Sequence, residues 1–457
     1  MNGDLYAESI DRIVTAAMTA QTIPGLAILV AQERRIIFAR GYGLRNVGES
    51  LPVDEVTSFS IASISKQFTA AAIMQLHERG LLALDDRIDR YLPWFRYAPN
   101  VTIAHLMTHT SGIAGYTELD DFDLRCTNPA APREVAETIL EREPAFAPGD
   151  EWQYSNTNYV LLGAILEAVA QKSYRDVIES DLLAGLDATA TVLNDTTSIR
   201  SNAALGFAAY WLGPLEPARD WHPSWGFGTA GLRSNVLDLF TWNVALRSGR
   251  VVTEPSLQAM QTAAMLNDGQ RVSYGLGLQL GQTPIGSVTR HTGGLPGFTL
   301  ENTTFLDREI DIIVLTNGDA TPTEHSITRP IAAHLTTEPR LRSPAPDAEE
   351  RFGAEIAQPN DALDVVNAFL SGALAAGRIT DRFKRVLTPA RLDAVRAFSQ
   401  RGPVRALHPL QSFRRDPVNL YTYRADFDDA VLRADLWLRD DGRVDGVWFS
   451  PRGRPAG

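Results

Sequence analysis

Phe59-Ser60-Ile61-Ala62-Ser63-Ile64-Ser65-Lys66-Gln67-Phe68 opens a helical pattern, rich in Ala, Ile, Met and Leu, that spans residues 63–79. Ser63 stands near the start of that helix, and Lys66, three positions on, lies on the same face. An unactivated serine is a weak nucleophile and needs a base beside it. A lysine that is partly buried, near the positive end of a helix, has a lowered pKa and becomes a usable base. Free backbone N–H groups at a helix start also offer a place for an oxyanion. Against this stands a plainer reading, Ser63 as a helix cap and Lys66 as a surface residue. Ser-x-x-Lys by itself does not decide between them.

The rest of the composition sharpens the interest in Lys66. Only three lysines occur in 457 residues, Lys66, Lys172 and Lys384. Arginine replaces lysine on most surfaces but cannot give up its proton to act as a base. Lys172 and Lys384 sit in polar stretches and read as solvated, whereas Lys66 sits in an apolar one. The net charge of −12 and the absence of a Lys/Arg-rich run argue against a nucleic-acid partner. No apolar run is long enough to span a bilayer. Cys126 is the sole cysteine, so an intrachain disulfide and a thiolate metal cluster are excluded. Its polar setting gives no reason to make it a nucleophile. No metal and no cofactor are expected. The N-terminus shows no basic segment followed by an apolar one, so a cytoplasmic protein is expected, or a periplasmic or secreted one where a leader has been removed.

Length and pattern predict two or three domains. Residues 4–19 carry Ile10, Ile13, Val14, Ala17 and Met18 at helical spacing. Leu26–Val30 and Ile36–Ala39 read as two strands joined at a polar turn. Residues 80–250 read as mainly helical. Strand patterns return at 273–280, 298–306 and 310–316, and a helix follows at 323–336. A sheet built from both ends of the domain, with a helical insertion between, predicts an α+β, two-lobed domain over residues 1–340. The Pro-rich residues 341–350 read as a linker. Residues 351–457 read as a small α+β accessory domain, with helices at 361–376 and 388–400 before four strands near 404–412, 418–427, 430–438 and 443–449.

Two further stretches carry polar groups suited to a site. Glu151-Trp152-Gln153-Tyr154-Ser155-Asn156 follows the turn Pro148-Gly149, and Arg290-His291-Thr292-Gly293-Gly294 precedes a strand. Tyr154 can carry a proton, Asn156 can donate to a substrate carbonyl, and His291 can donate to a carboxylate or amide. Each alone is as well explained by a core tyrosine, a turn asparagine and a glycine turn. Taken in order, Ser63-x-x-Lys66, Tyr154-x-Asn156 and His291-Thr292-Gly293 resemble the three motifs of the serine β-lactamase and penicillin-binding-protein superfamily. Thr102-Ile103-Ala104-His105-Leu106-Met107-Thr108-His109-Thr110-Ser111-Gly112, the turn from Gly228 to Leu232, and Gly294-Leu295-Pro296-Gly297-Phe298 resemble its class C β-lactamase-related branch.

The resemblance covers roughly residues 5–340 and implies a β-lactamase-like fold, an antiparallel sheet flanked by helices plus a helical lobe. It implies that Ser63 attacks an acyl carbon while Lys66 and Tyr154 share base and acid duty. Asn156 orients the substrate, and the backbone N–H groups of Ser63 and Gly294 form the oxyanion hole. His291, Gly293 and Gly294 then line the substrate. β-Lactamases and DD-peptidases usually carry lysine where His291 stands. A mostly neutral histidine argues against strong β-lactamase activity. The His-x-Gly form is similar to D-aminopeptidase-type and esterase-like members, so the expected substrate is a small ester, amide or peptide. The rival is a catalytically retired, penicillin-binding-like ligand-binding or sensor protein. A homo-oligomer is left open. The tail from about 350 resembles an NTF2-like accessory domain.

Two other signals carry less. Gly226-Phe227-Gly228-Thr229-Ala230-Gly231 has the glycines of a dinucleotide site but follows no parallel strand. The helix beyond it is expected to be capped by Ser234, with Asp238 nearby. His105 and His109 stand at metal-ligand spacing, but the intervening glutamate of a zinc motif is missing, and a structural role is expected.

Overall fold

The computed structural model describes residues 2–96, 100–195, 201–209, 215–219, 221–318, 323–337, 356–415 and 418–451. Helix α1 (Asn2–Gln21) leads into strands β1 (Gly25–Gln32), β2 (Arg35–Asn46) and β3 (Leu51–Pro52). The other strands of this sheet come more than 200 residues later: β4 (Gln279–Thr283), β5 (Gly286–Leu295), β6 (Phe298–Phe305) and β7 (Ile310–Thr316). The sheet order is β3-β2-β1-β7-β6-β5-β4, with every neighbouring pair antiparallel. The two ends of the domain therefore meet at β1 and β7, in the register Leu26↔Thr316, Ile28↔Val314 and Val30↔Ile312.

Both faces of these central strands are covered, which is why β1 and β7 read as near-continuous apolar runs. Leu26, Ile28 and Val30 pack with Ile312 and Val314 beneath Ile10 and Val14 of α1 and Ile331 of helix α6 (Arg329–Thr336). Ala27, Leu29 and Ala31, on the opposite face, join Ile313 and Leu315 in the main core with the nucleophile segment. There, helix α2 (Ser65–Glu78) has 11 of its 14 residues buried. Phe68 stacks on Trp242 of α5 (Val236–Arg247) at 4.0 Å. The polar side chains on this sunken helix have partners: Ser65 Oγ accepts from Leu232 N at 3.1 Å, and Thr69 Oγ1 donates to Gly228 O at 2.7 Å.

Several boundaries differ from the sequence reading. The pattern at 273–280 is a loop, and the strand starts at Gln279. The His291 motif lies inside β5 rather than before a strand. Residues 80–250 are less helical than expected. They hold α3 (Ile103–Thr108), α4 (Asn156–Ala170), α5 and shorter turns, joined by long loops and by Val192–Leu193 and Leu232–Ser234, which form a ribbon with Phe59–Ser60. The cap of α5 is Asn235, whose Oδ1 accepts from Asp238 N at 2.8 Å, while Ser234 ends the ribbon strand.

The C-terminal part has its own core. Helices α7 (Ala362–Leu370), α8 (Asp381–Val386) and α9 (Pro389–Ser399) pack on a four-stranded antiparallel meander, β8 (Ala406–Arg415), β9 (Val418–Asp426), β10 (Val431–Arg439) and β11 (Val444–Pro451). The expected linker at 341–350 lies outside the described residues. Arg385 of α8 reaches Asp123 at 2.8 Å, and Arg439 of β10 pairs with Asp120, so charge pairs tie this part to the loop after residue 116. No helix among the described residues is long and apolar enough to cross a membrane.

Candidate active site

The nucleophile turn forms because the chain leaves the ribbon at Ile61, whose N–H donates to Leu232 O at 2.9 Å, and must bend at once into α2. Ala62 takes up that bend with φ +48, a left-handed conformation that costs about 1 kcal/mol or more for a residue with a Cβ. Ala62–Ile64 is a 3-10 turn, and α2 proper begins at Ser65, two residues later than the sequence pattern suggests. Ser63 is part-exposed, with Ile64 buried behind it.

Lys66 is the most unusual residue of the site. It is fully buried, and burial alone drives its pKa well below the ordinary lysine value. Nζ lies 3.1 Å from Ser63 Oγ, 2.8 Å from Asn156 Oδ1 and 3.1 Å from Thr229 O. All three neighbours are neutral. The amide and carbonyl oxygens can only accept hydrogen bonds. Without its charge, the amine would give its two hydrogens to Asn156 and Thr229 and turn its lone pair to the Ser63 hydroxyl.

Tyr154 and Asn156 come from the segment that starts α4. The Lys66 ammonium position is 4.9 Å from the centre of the Tyr154 ring and 5.4 Å from that of Tyr159. Asn156 is the first residue of α4, and its Nδ2 donates to Thr117 Oγ1 at 3.3 Å. One amide thus holds the lysine with its oxygen and is itself held by its nitrogen.

His291 lies on the far wall and is 1% exposed. Its Nδ1 is 2.7 Å from Thr292 O, a group that can only accept, so Nδ1 carries the hydrogen and Nε2 accepts from Tyr274 Oη at 3.0 Å. Burial, above all, pushes its pKa down to about 3. His291 is therefore neutral, with both ring nitrogens engaged inside the protein.

Gly293 lets β5 pass close to the nucleophile turn. An added Cβ would lie 2.7 Å from Ile61 O and 3.1 Å from Ala62 Cβ. Gly294 is exposed, with open space around it. Strand β4 pairs with β5 only over Gly286–Arg290, whereas β6 pairs with it as far as Leu295. Ser63, Lys66, Tyr154, Asn156, His291 and Gly293 are thus brought together where the nucleophile turn, the start of α4 and β5 meet, with Gly294 exposed beside Gly293.

Three contributors escape the sequence reading: Thr229, Tyr274 and His109. Thr229 sits in the glycine-rich stretch weighed as a nucleotide site. Those glycines instead allow a tight turn that delivers a carbonyl to Lys66, since Gly228 has φ +68 and a Cβ there would lie 2.2 Å from Tyr159 O. Tyr274 falls in the pattern read as a strand.

A Beta-lactamase family model matches residues 10–336. Penicillin-binding protein 4* of Bacillus subtilis is 29% identical over 306 residues, 64% of this chain and 68% of that protein. Protein flp of Staphylococcus aureus is also 29% identical, over 51% of this chain but only 48% of its own length. Among solved structures, a D-stereospecific amidohydrolase from Streptomyces sp. aligns with TM-score 0.60 and 24% identity over 71% of this chain and 97% of its own. The octameric penicillin-binding protein homologue from Pyrococcus abyssi aligns with TM-score 0.64 and 22% identity over 97% of this chain and 98% of its own. At these identities the two structures speak for the fold alone. The family model covers most of the first 340 residues, including all three motifs, and the chain belongs to the Beta-lactamase family.

Proposed function

We propose that this protein is a serine hydrolase that cleaves small esters and neutral amides or peptides through an acyl-Ser63 intermediate. The observation that carries the reading is Lys66, a wholly buried amine with three neutral neighbours, one of them Ser63 Oγ at 3.1 Å. Burial favours the uncharged form of such an amine, and that form can take a proton.

In this reading Ser63 Oγ bonds to the acyl carbon as its proton passes to Lys66 Nζ. The carbonyl electron pair moves onto oxygen, where the N–H groups of Ser63 and Gly294 receive it. Collapse of that intermediate breaks the bond to the leaving group. The leaving alkoxide or amine takes a proton through Tyr154 and Lys66. Water then attacks the Ser63 ester, releasing the acid and returning a proton to Oγ.

The neutrality of His291 supports a substrate without a carboxylate anchor. With its pKa near 3 and both nitrogens engaged, it offers no positive charge to the cleft. Substrates that need such a charge, among them β-lactams, should be turned over poorly. Two relatives in fold, a D-stereospecific amidohydrolase and an octameric penicillin-binding protein homologue, are compatible with amide cleavage and with a homo-oligomer here.

The test is the intact mass of the protein after a fluorophosphonate probe, for wild type and Ser63→Ala, beside turnover of p-nitrophenyl esters, D-amino-acid anilides and nitrocefin. One adduct that disappears in Ser63→Ala, with ester or anilide turnover well above nitrocefin turnover, is expected. Undiminished turnover by Ser63→Ala removes the reading.

A further inference from the structure

His109 ends α3 in a left-handed conformation, φ +61, and is fully buried. Its contacts converge on Tyr154 from three sides. The backbone N–H of Gln153, the residue before Tyr154, donates to His109 O at 3.0 Å. The N–H of Ser155, the residue after it, donates to His109 Nδ1 at 3.2 Å. The imidazole itself lies against the Tyr154 ring, with centroids 4.2 Å apart and planes at 37°. Asn158 Nδ2 approaches the same Nδ1 at 3.3 Å, and its Oδ1 accepts from Ser111 Oγ at 2.8 Å, which fixes the amide's orientation. A backbone amide can only donate, so Nδ1 is the unprotonated nitrogen and the ring hydrogen is on Nε2.

These contacts need a side chain with two properties at once. It must be a flat ring to wall the tyrosine, and it must accept a hydrogen bond one bond beyond Cγ. Phenylalanine or tyrosine supplies the first and strands the Ser155 N–H in a buried place. Asparagine supplies the second, and tolerates positive φ, but has no ring. Neutral histidine supplies both.

We infer that His109 is a positioning residue for Tyr154, gripping the backbone on either side of it and stacking on its ring so that its hydroxyl is held in proton-transfer register with Lys66. The inference rests on the proposed role of Tyr154 as a proton carrier. His109 itself touches neither substrate nor the transferred proton. Misplacement of a catalytic group by about 1 Å costs on the order of 100-fold in rate. Loss of half of this grip should therefore lower kcat by roughly 10- to 100-fold while leaving KM within about threefold.

The experiment is a double-mutant cycle in the full chain with p-nitrophenyl acetate, once Ser63→Ala has shown that the turnover depends on Ser63. Wild type, His109→Asn, Tyr154→Phe and the double variant are compared, and the cycle is repeated with His109→Tyr. The first substitution keeps the acceptor and removes the ring, and the second keeps a ring and removes the acceptor. Either variant that folds decides the matter. The expected result is a kcat loss that is full when Tyr154 is present and shrinks to under about twofold when Tyr154→Phe has already been made. An undiminished loss on top of Tyr154→Phe, or one carried by KM, overturns the inference, because it would show general damage to the cleft. Failure of both variants to fold would assign His109 to stability alone and overturns it too. Turnover that survives Ser63→Ala would instead bring down the acyl-serine reading, which the control detects separately.

Discussion

Lys66→Met removes the amine from the centre of the cleft while nearly keeping its volume, and the pH dependence of its effect tests whether Lys66 is uncharged in the folded protein. Burial pushes the pKa of Lys66 well below normal, whereas in the unfolded chain it returns to about 10.4. Between those two values the unfolded state binds one proton more than the folded state. Stability then rises with pH, by about 1.4 kcal/mol per pH unit for one such proton. The penalty is complete below the lowered value and vanishes above the ordinary one. Methionine has no such proton. The unfolding free energy of wild type minus that of Lys66→Met should therefore climb by about 2.7 kcal/mol across about two pH units inside this interval. Other groups titrate alike in both proteins and cancel in the difference. Urea unfolding at a series of pH values below the ordinary lysine value measures it, with m-values compared to check that the same structure unfolds. At neutral pH, loss of three hydrogen bonds costs about 1 kcal/mol each, offset by relief of the buried amine, so the variant stays folded. Its turnover should fall by about 10²- to 10⁴-fold. Parallel stability curves for the two proteins would mean that Lys66 is protonated in the fold, and the proposed base would be lost with them.

Gly293→Ala sets a methyl group 2.7 Å from Ile61 O and 3.0 Å from Leu300 Cδ1, so β5 and the nucleophile turn must part. A stability loss of about 1–3 kcal/mol with a fall in kcat is expected, and an unchanged melting temperature and kcat would show that the turn yields freely. His291 has a folded pKa of about 3 against an ordinary value of about 6.5, so it favours the fold above the ordinary value and the benefit drains as pH falls toward the lowered one. His291→Asn should flatten the acid limb of stability by about 1.4 kcal/mol per pH unit over that range, and a limb as steep as that of wild type would mean that the imidazole is not held neutral.

What was legible in the sequence was whatever depends on short spacing. Ser63 and Lys66 meet because three residues make one helical turn, and that holds although the turn is 3-10 rather than α-helical at Ser63. Residues 26–30 and 310–316 are visible as strands because both of their faces are buried and nothing polar but Asp311 interrupts the runs. The strand that carries His291 was harder. Gly293 and Gly294 look like a turn, yet at Gly293 the missing side chain serves close approach to Ile61, a contact between residues more than 200 positions apart. Strand β4 was misplaced for a related reason, since Tyr274, Leu276 and Leu278 alternate as a strand would while forming a buried loop beside His291. For His109 the sequence suggested a structural role but not which group it supports. The i, i+4 pairing with His105 suggests a shared helix face, whereas His109 is the left-handed end of that helix and turns away toward Tyr154.

The dispersal of the site along the chain follows from what the proposed base requires. A lysine loses its charge only if water is removed from every side and no carboxylate replaces it. Short-range sequence supplies just one wall, the turn that presents Ser63. The other two come from Asn156, at the start of a helix in the second lobe, and from the carbonyl of Thr229, in a glycine turn. Each contributes an oxygen that accepts but bears no charge. An aspartate in place of Asn156 would bond Nζ as well and would restore its proton. The same logic reaches the opposite wall. A fixed cation at position 291 would further disfavour a proton on Lys66, at the moment when Ser63 must hand one over. Neutral His291, closed off by Tyr274 and Thr292, adds no such charge, so in the proposed mechanism Lys66 can take up the proton during acyl transfer. Preference for uncharged substrates and reliance on one buried base are, on this argument, two consequences of a single arrangement.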